Sequence, residues 1–192
     1  RSMYIQRSID QQLLEWKQSS VHKPLLLRGA RQVGKSSAIR HLGETFRHYI
    51  EVNFEKRPEL KELFEKTSDV HQLAARLGML YNVPIEAGKT LVFLDEIQAC
   101  PEAIKSLWFF KEDFPELHVV AAGSLLEFAL KELTSYGVGR IRSLFMYPLS
   151  FDEFLQAQGK ASWIEEKRKA DHNHPLFEAL HQELVQQFRT FL

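Results

Sequence analysis

The sequence predicts an α/β fold with a mainly parallel sheet covered by helices on both faces. Three observations predict it. Short apolar runs alternate with helical patterns, a glycine-bearing loop joins the first run to a helix, and a later run ends in two adjacent carboxylates. Strands that alternate with helices pair in parallel, because each helix carries the chain back to the same edge of the sheet.

The elements follow in order. Arg1-Ser2 ahead of Met3 read as a cloning scar. Ile5, Ile9, Leu13 and Trp16 recur at helical spacing and predict an amphipathic helix over 4–18. Pro24 opens a buried strand, Leu25-Leu26-Leu27, and the loop 29–34 leads into a helix from about 35 to 46. His48–Phe54 is rich in β-formers and reads as the second strand. Pro58 opens helical segments over 59–66 and 69–81, at a position where its missing N–H costs nothing. Gly88 marks a turn before Thr90–Leu94, a third strand apolar on both faces. Pro101 starts a helix to about Phe114, and Leu117–Ala122 is the fourth strand.

Gly123-Ser124 lead into a Leu- and Phe-rich helix that Gly137 and Gly139 break. Residues 140–147 read as the fifth strand, closed by Pro148. Ser150 and Glu153 have the spacing of a capping box for a helix over 151–157. The stretch 158–174 is polar and turn-rich. The last helix, 175–192, puts Phe177, Leu180, Leu184, Phe188 and Phe191 on one face. It runs to Leu192 without a stop signal, so a following C-terminal domain is expected.

Composition bounds the function. The 192 residues suit one α/β domain with a small appendage, and 44% hydrophobic with 26% charged residues suit a packed core. Twenty-five basic and 25 acidic residues give no support for a nucleic-acid surface. The single cysteine, Cys100, forms no intrachain disulfide and fits a reducing compartment, so a cytoplasmic location is expected. No apolar run approaches the roughly 18 residues of a membrane helix. Oligomeric state stays open.

Gly29-Ala30-Arg31-Gln32-Val33-Gly34-Lys35-Ser36 fits G-x-x-x-x-G-K-[ST], between a strand and a helix as that motif requires. Such a loop wraps backbone N–H groups around phosphate oxygens and needs glycine where φ is positive or a ligand comes close. The following helix, with Ser37 in its first turn, aims its dipole at the same anion. Lys35 can reach the β and γ phosphates, and Ser36 can ligate Mg²⁺.

The strand Leu91-Val92-Phe93-Leu94 ends in Asp95-Glu96. In parallel sheets ligands sit at the carboxyl ends of strands, so Asp95 is expected beside the loop, holding Mg²⁺. Glu96 is expected to act as the base for a water in line with the γ phosphate.

GARQVGKS, LVFLDEIQ, VVAAGS and GRIRSLFMYPLSFDEFL, in that order, resemble an AAA-type ATPase. The resemblance covers about residues 3–158 and is closest to prokaryotic ATP-binding proteins that join an AAA domain to a C-terminal domain of unknown function. It leaves 159–192 as a helical tail, the start of a lid or a link to that domain. It implies the P-loop NTPase three-layer sandwich, sheet order 5-1-4-3-2, with ATP and Mg²⁺ as cofactors. A polar sensor at the end of the fourth strand matches Ser124, which can equally cap a helix. A polar residue at the end of the second strand, engaging the catalytic glutamate, matches Asn53. Arg140, then Arg142, are candidates for a cation on the γ phosphate, and either can instead pair with a surface carboxylate.

The resulting expectation is an ATP hydrolase acting as motor or regulator of an attached domain. The alternative is a nucleotide-gated switch with little turnover. A small-molecule kinase is disfavoured by the Asp95-Glu96 pair. Asp171-His172-Asn173-His174 reads as solvated loop rather than a metal tract, Cys100 as a buried thiol, and the charge-rich 55–66 as a solvated face.

Overall fold

The computed structural model describes residues 3–124 and 139–192. The chain divides into two compact units: Ile9–Tyr147, and Arg1–Ser8 together with Pro148–Leu192. The division falls at Tyr147, ahead of the boundary near 158 that the motifs suggested.

The larger unit is a three-layer sandwich. Its strands are β1 (Leu25–Arg28), β2 (His48–Asn53), β3 (Thr90–Asp95), β4 (His118–Gly123) and β5 (Arg142–Phe145). They lie in the order β2-β3-β4-β1-β5, with every neighbouring pair parallel, which is the order 5-1-4-3-2. Its helices are α1 (Ile9–Gln18), α2 (Lys35–Gly43), α3 (Leu60–Lys66), α4 (Val70–Tyr81) and α5 (Pro101–Asp113).

Strand periodicity explains the two covered faces. Successive side chains point to opposite sides of a sheet. Leu91 and Phe93 enter one core and Val92 and Leu94 the other. Val120 and Ala122 join Leu91, with Val119 and Ala121 on the opposite side. The first core is closed by Ile9, Leu13 and Trp16 of α1 and Ala38, Ile39 and Leu42 of α2. The second is closed by α3, α4 and α5 through Phe64, Leu73, Leu77, Leu107 and Phe110. An unbroken apolar strand such as β3 therefore needs helices on both sides.

The smaller unit contains α6 (Phe151–Ala157), α7 (Ala161–Lys169) and α8 (Glu178–Phe191) around Leu155, Ile164, Leu180 and Leu184. The capping box is present: Ser150 Oγ accepts from Glu153 N at 3.1 Å, and Glu153 Oε1 accepts from Ser150 N at 2.9 Å. Glu153 Oε2 also accepts from Arg7 Nε and Ser8 N, at 2.9 and 2.8 Å. These contacts hold residues 7–8 outside the helix expected over 4–18, and α1 starts at Ile9.

Helix α7 corrects the reading of 158–174 as polar and turn-rich. Its apolar content is little more than Trp163 and Ile164, adjacent positions that set up no visible period. Packing of Ile164 against Leu155 and the α8 leucines holds it. The helix expected after Ser124 and the break at Gly137 lie outside the described residues. No helix among the described residues is long and apolar enough to cross a membrane.

Candidate functional site

The loop between β1 and α2 has the backbone that its sequence requires. Gly29, Gln32 and Gly34 stand at φ of 149°, 62° and 99°. Gly29 also passes against the end of β5: a Cβ there would lie 2.4 Å from Met146 O. No other residue fits. Val33 is buried and anchors the loop on the α1–α2 core. The first turn of α2, where Ser36 and Ser37 stand, carries no acidic side chain of its own to offset its positive end.

Lys35 Nζ donates to the carbonyl oxygens of Gly29 and Ala30, at 2.8 and 2.5 Å. Burial pushes its ammonium below the usual lysine range, while Glu96 and Asp95 pull the other way. Those two carboxylates belong to the end of β3, so the electrostatics couple the loop to the acidic pair.

Geometry couples them directly. Ser36 Oγ donates to Asp95 Oδ2 at 2.8 Å. Asp95 is buried, and its Oδ1 accepts from Glu96 N at 2.9 Å. Burial raises the Asp95 carboxyl above its ordinary value, with the bonds from Ser36 and Glu96 opposing. A serine hydroxyl and a carboxylate in contact form the hard-oxygen donor set that suits Mg²⁺, which takes few protein ligands and keeps waters.

Glu96 leaves β3 in the left-handed conformation, φ 52°, and opens a one-turn 3₁₀ helix over Ile97–Ala99. That conformation costs a non-glycine residue about 1–3 kcal/mol and is held by what surrounds it. Buried Ile97 and Cys100 pin the turn from below. Glu96 Oε2 accepts from Gln98 Nε2 at 2.5 Å.

Asn53 ends β2 in register with Asp95. Its Oδ1 accepts from the backbone of Glu55 and Lys56, at 3.0 and 2.9 Å, and so closes the turn after the strand. The hydrogen bond to the Glu96 carboxylate comes from Gln98 Nε2, and the Asn53 amide stands on the neighbouring strand end. Ser124 directly follows β4, the strand between β1 and β3. Its Oγ is buried and has no hydrogen-bond partner among the described residues.

The arginine candidates stand elsewhere. Arg142 pairs in register with Leu25, at the start of β1, whereas the loop leaves from the end of β1. Arg140 precedes Arg142, pairs with Glu112 at 3.3 Å and lies 4.5 Å over the Trp108 ring. In a parallel sheet the residue before a strand sits at the edge opposite the strands' carboxyl ends. Arg140, the first candidate for a γ-phosphate cation, thus makes the surface-carboxylate pair that was its alternative role, and Arg142 stands at the start of β5.

Two residues that mattered were missed. Gln98 touches Glu96, and Glu55, read as part of a solvated face, meets Arg31 of the loop at 3.4 Å and Gln98 at 3.5 Å. The available signal was position: Glu55 lies two residues and Gln98 three residues past a strand's carboxyl end. Asp171 Oδ1 is taken up by the backbone of Asn173 and His174 in a turn.

Comparison with known proteins agrees with the topology. The Walker-type ATPase PABY2304 of Pyrococcus abyssi superposes with a TM-score of 0.52 at 20% identity, over 88% of this chain and 60% of that one. The chain thus spans about 60% of the length of that protein, and the likeness is one of fold. No curated protein matches in sequence. Residues 21–155, which run from just before β1 through the phosphate loop, the acidic pair and β5, match the AAA domain family, and the chain belongs to it.

Proposed function

We propose that the chain is a Mg²⁺-dependent ATP hydrolase. The observation that carries the reading is the Ser36–Asp95 hydrogen bond, which joins the phosphate loop to the acidic pair. The loop amides from Gly29 to Gly34 and the start of α2, with Ser37, receive the phosphates. Lys35 turns from the carbonyls of Gly29 and Ala30 to the β and γ oxygens. Ser36 and Asp95 would hold Mg²⁺, which would supply neutralisation of phosphate charge.

Glu96 takes a proton from the attacking water as its oxygen bonds to the γ phosphorus. The bond from that phosphorus to the β–γ bridging oxygen breaks, and ADP leaves. Ser124, whose hydroxyl has no hydrogen-bond partner among the described residues, is suited to the γ phosphate or this water, and Asn53 Nδ2 to the carboxylate of Glu96. Adenine rather than guanine is proposed on family grounds, since no N/T-K-x-D tetrapeptide occurs. A cytoplasmic motor or regulator acting on a further C-terminal domain is the biological setting proposed.

A second reading has its own observation. Arg140 and Arg142 lie at the edge of the sheet opposite the phosphate loop, and Arg140 pairs with Glu112, an arrangement that leaves the γ-phosphate cation to be supplied in trans. A chain without that cation turns over slowly, as a nucleotide-gated switch would, until a partner or second copy brings an arginine. Phosphate release under multiple-turnover conditions separates the two. Sustained release supports the hydrolase, and no more than one phosphate per chain, with partners present, supports the switch.

A further inference from the structure

Gln98 lies two residues past Glu96, in the turn between β3 and α5. Its Nε2 donates to Glu96 Oε2 at 2.5 Å and lies 3.5 Å from Glu55 Oε1. Its Oε1 is buried with no hydrogen-bond partner among the described residues. The direction of the amide follows. Both carboxylates only accept, so the NH₂ end must face them. A buried amide oxygen without a donor is costly, and the arrangement persists because the other end of the amide is bound to charge.

The support is rigid on both sides. Ile97 and Cys100, which flank the turn, are buried, and Ala99 N and Cys100 N close it on the carbonyls of Glu96 and Ile97. Glu55 is approached in turn by Arg31, inside the phosphate loop. Arg31, Glu55, Gln98 and Glu96 therefore form one line of polar contacts from the loop to the candidate base.

We propose that Gln98 is a positioning residue for Glu96. Its amide, braced between two glutamates, holds Glu96 Oε2 and so directs the other carboxylate oxygen toward the γ-phosphate water. Gln98 touches neither nucleotide nor water and acts through Glu96. The inference rests on the hydrolase reading.

The test uses the full chain with two variants, Gln98→Ala and the nearly isosteric Gln98→Glu, which removes the donor at constant size. Single-turnover ATP hydrolysis and the affinity for a fluorescent ATP analogue are measured. Both variants are expected to lose about 10–100-fold in rate, with affinity within about twofold of the parent. Added to Glu96→Gln, Gln98→Ala is expected to cost little more, because the group it positions is gone. Parental rates in both Gln98 variants, or fully additive losses in the double variant, overturn the proposal while a slow Glu96→Gln protein leaves the hydrolase reading intact. Undiminished hydrolysis by Glu96→Gln overturns the base assignment and this inference with it.

Discussion

Ser36 Oγ and Asp95 Oδ2 meet at 2.8 Å across 59 residues of sequence. One belongs to the phosphate loop and the other to the end of β3, and β4 lies between their strands. If they are the Mg²⁺ ligands, they cooperate only when the cation is present. Asp95→Asn is then expected to weaken nucleotide binding about 10–100-fold in Mg²⁺ and by much less in EDTA. Equal losses in both conditions would remove Asp95 from the cation site.

Gly29 combines a positive φ with close approach to Met146 O. Gly29→Ala is expected to cost about 1–3 kcal/mol in urea unfolding and to abolish nucleotide binding, since the loop must move to admit the methyl. A stable, binding-competent alanine variant would show that the loop's contact with β5 is dispensable.

Arg140 is held by Glu112 and Trp108 at the far edge of the sheet. Arg140→Ala is expected to leave single-turnover hydrolysis of the isolated chain unchanged. Its stability should fall by no more than about 1 kcal/mol, as expected for a half-exposed pair. A rate loss of about a thousandfold would mean that Arg140 reaches the γ phosphate of another copy.

His118 gives the protein an acid-sensitive point away from the candidate site. It stacks on His22 at 3.8 Å between ring centroids, and its Nε2 lies 3.0 Å from Lys17 O, an acceptor, so Nε2 carries the proton. Burial, then His22, lowers His118 from 6.5 to about 4. The folded value is below the unfolded one, so the stability from the neutral ring is present above about pH 6.5. It is lost as pH falls toward about 4, by at most about 3 kcal/mol. His118→Phe should flatten that limb of a plot of urea stability against pH. An unchanged slope would assign the acid sensitivity to other groups.

Much of this was legible in the sequence because local chemistry and global fold agree. The three central strands β1, β3 and β4 announce themselves as apolar runs, and the phosphate loop and Asp95-Glu96 sit at strand ends where a parallel sheet presents ligands. What was hidden depended on three-dimensional supply. Helix α7 is mostly charged and is held by one buried residue, Ile164, packed against other elements. Gln98 carries no motif; only its fold-given neighbours, Glu96 and Glu55, make it matter. The end of β5 at which Arg140 stands was hidden too, because it depends on the direction of that strand in the sheet.

The central claim is that Lys35 holds phosphate while Glu96 acts only in the chemical step. Nucleotide affinity and single-turnover hydrolysis, measured side by side for Lys35→Ala and Glu96→Gln, test it most directly. The account predicts that Lys35→Ala loses nucleotide, whereas Glu96→Gln binds like the parent and hydrolyses about 10²–10⁴-fold more slowly. Parental hydrolysis by Glu96→Gln, or undiminished binding by Lys35→Ala, would contradict it.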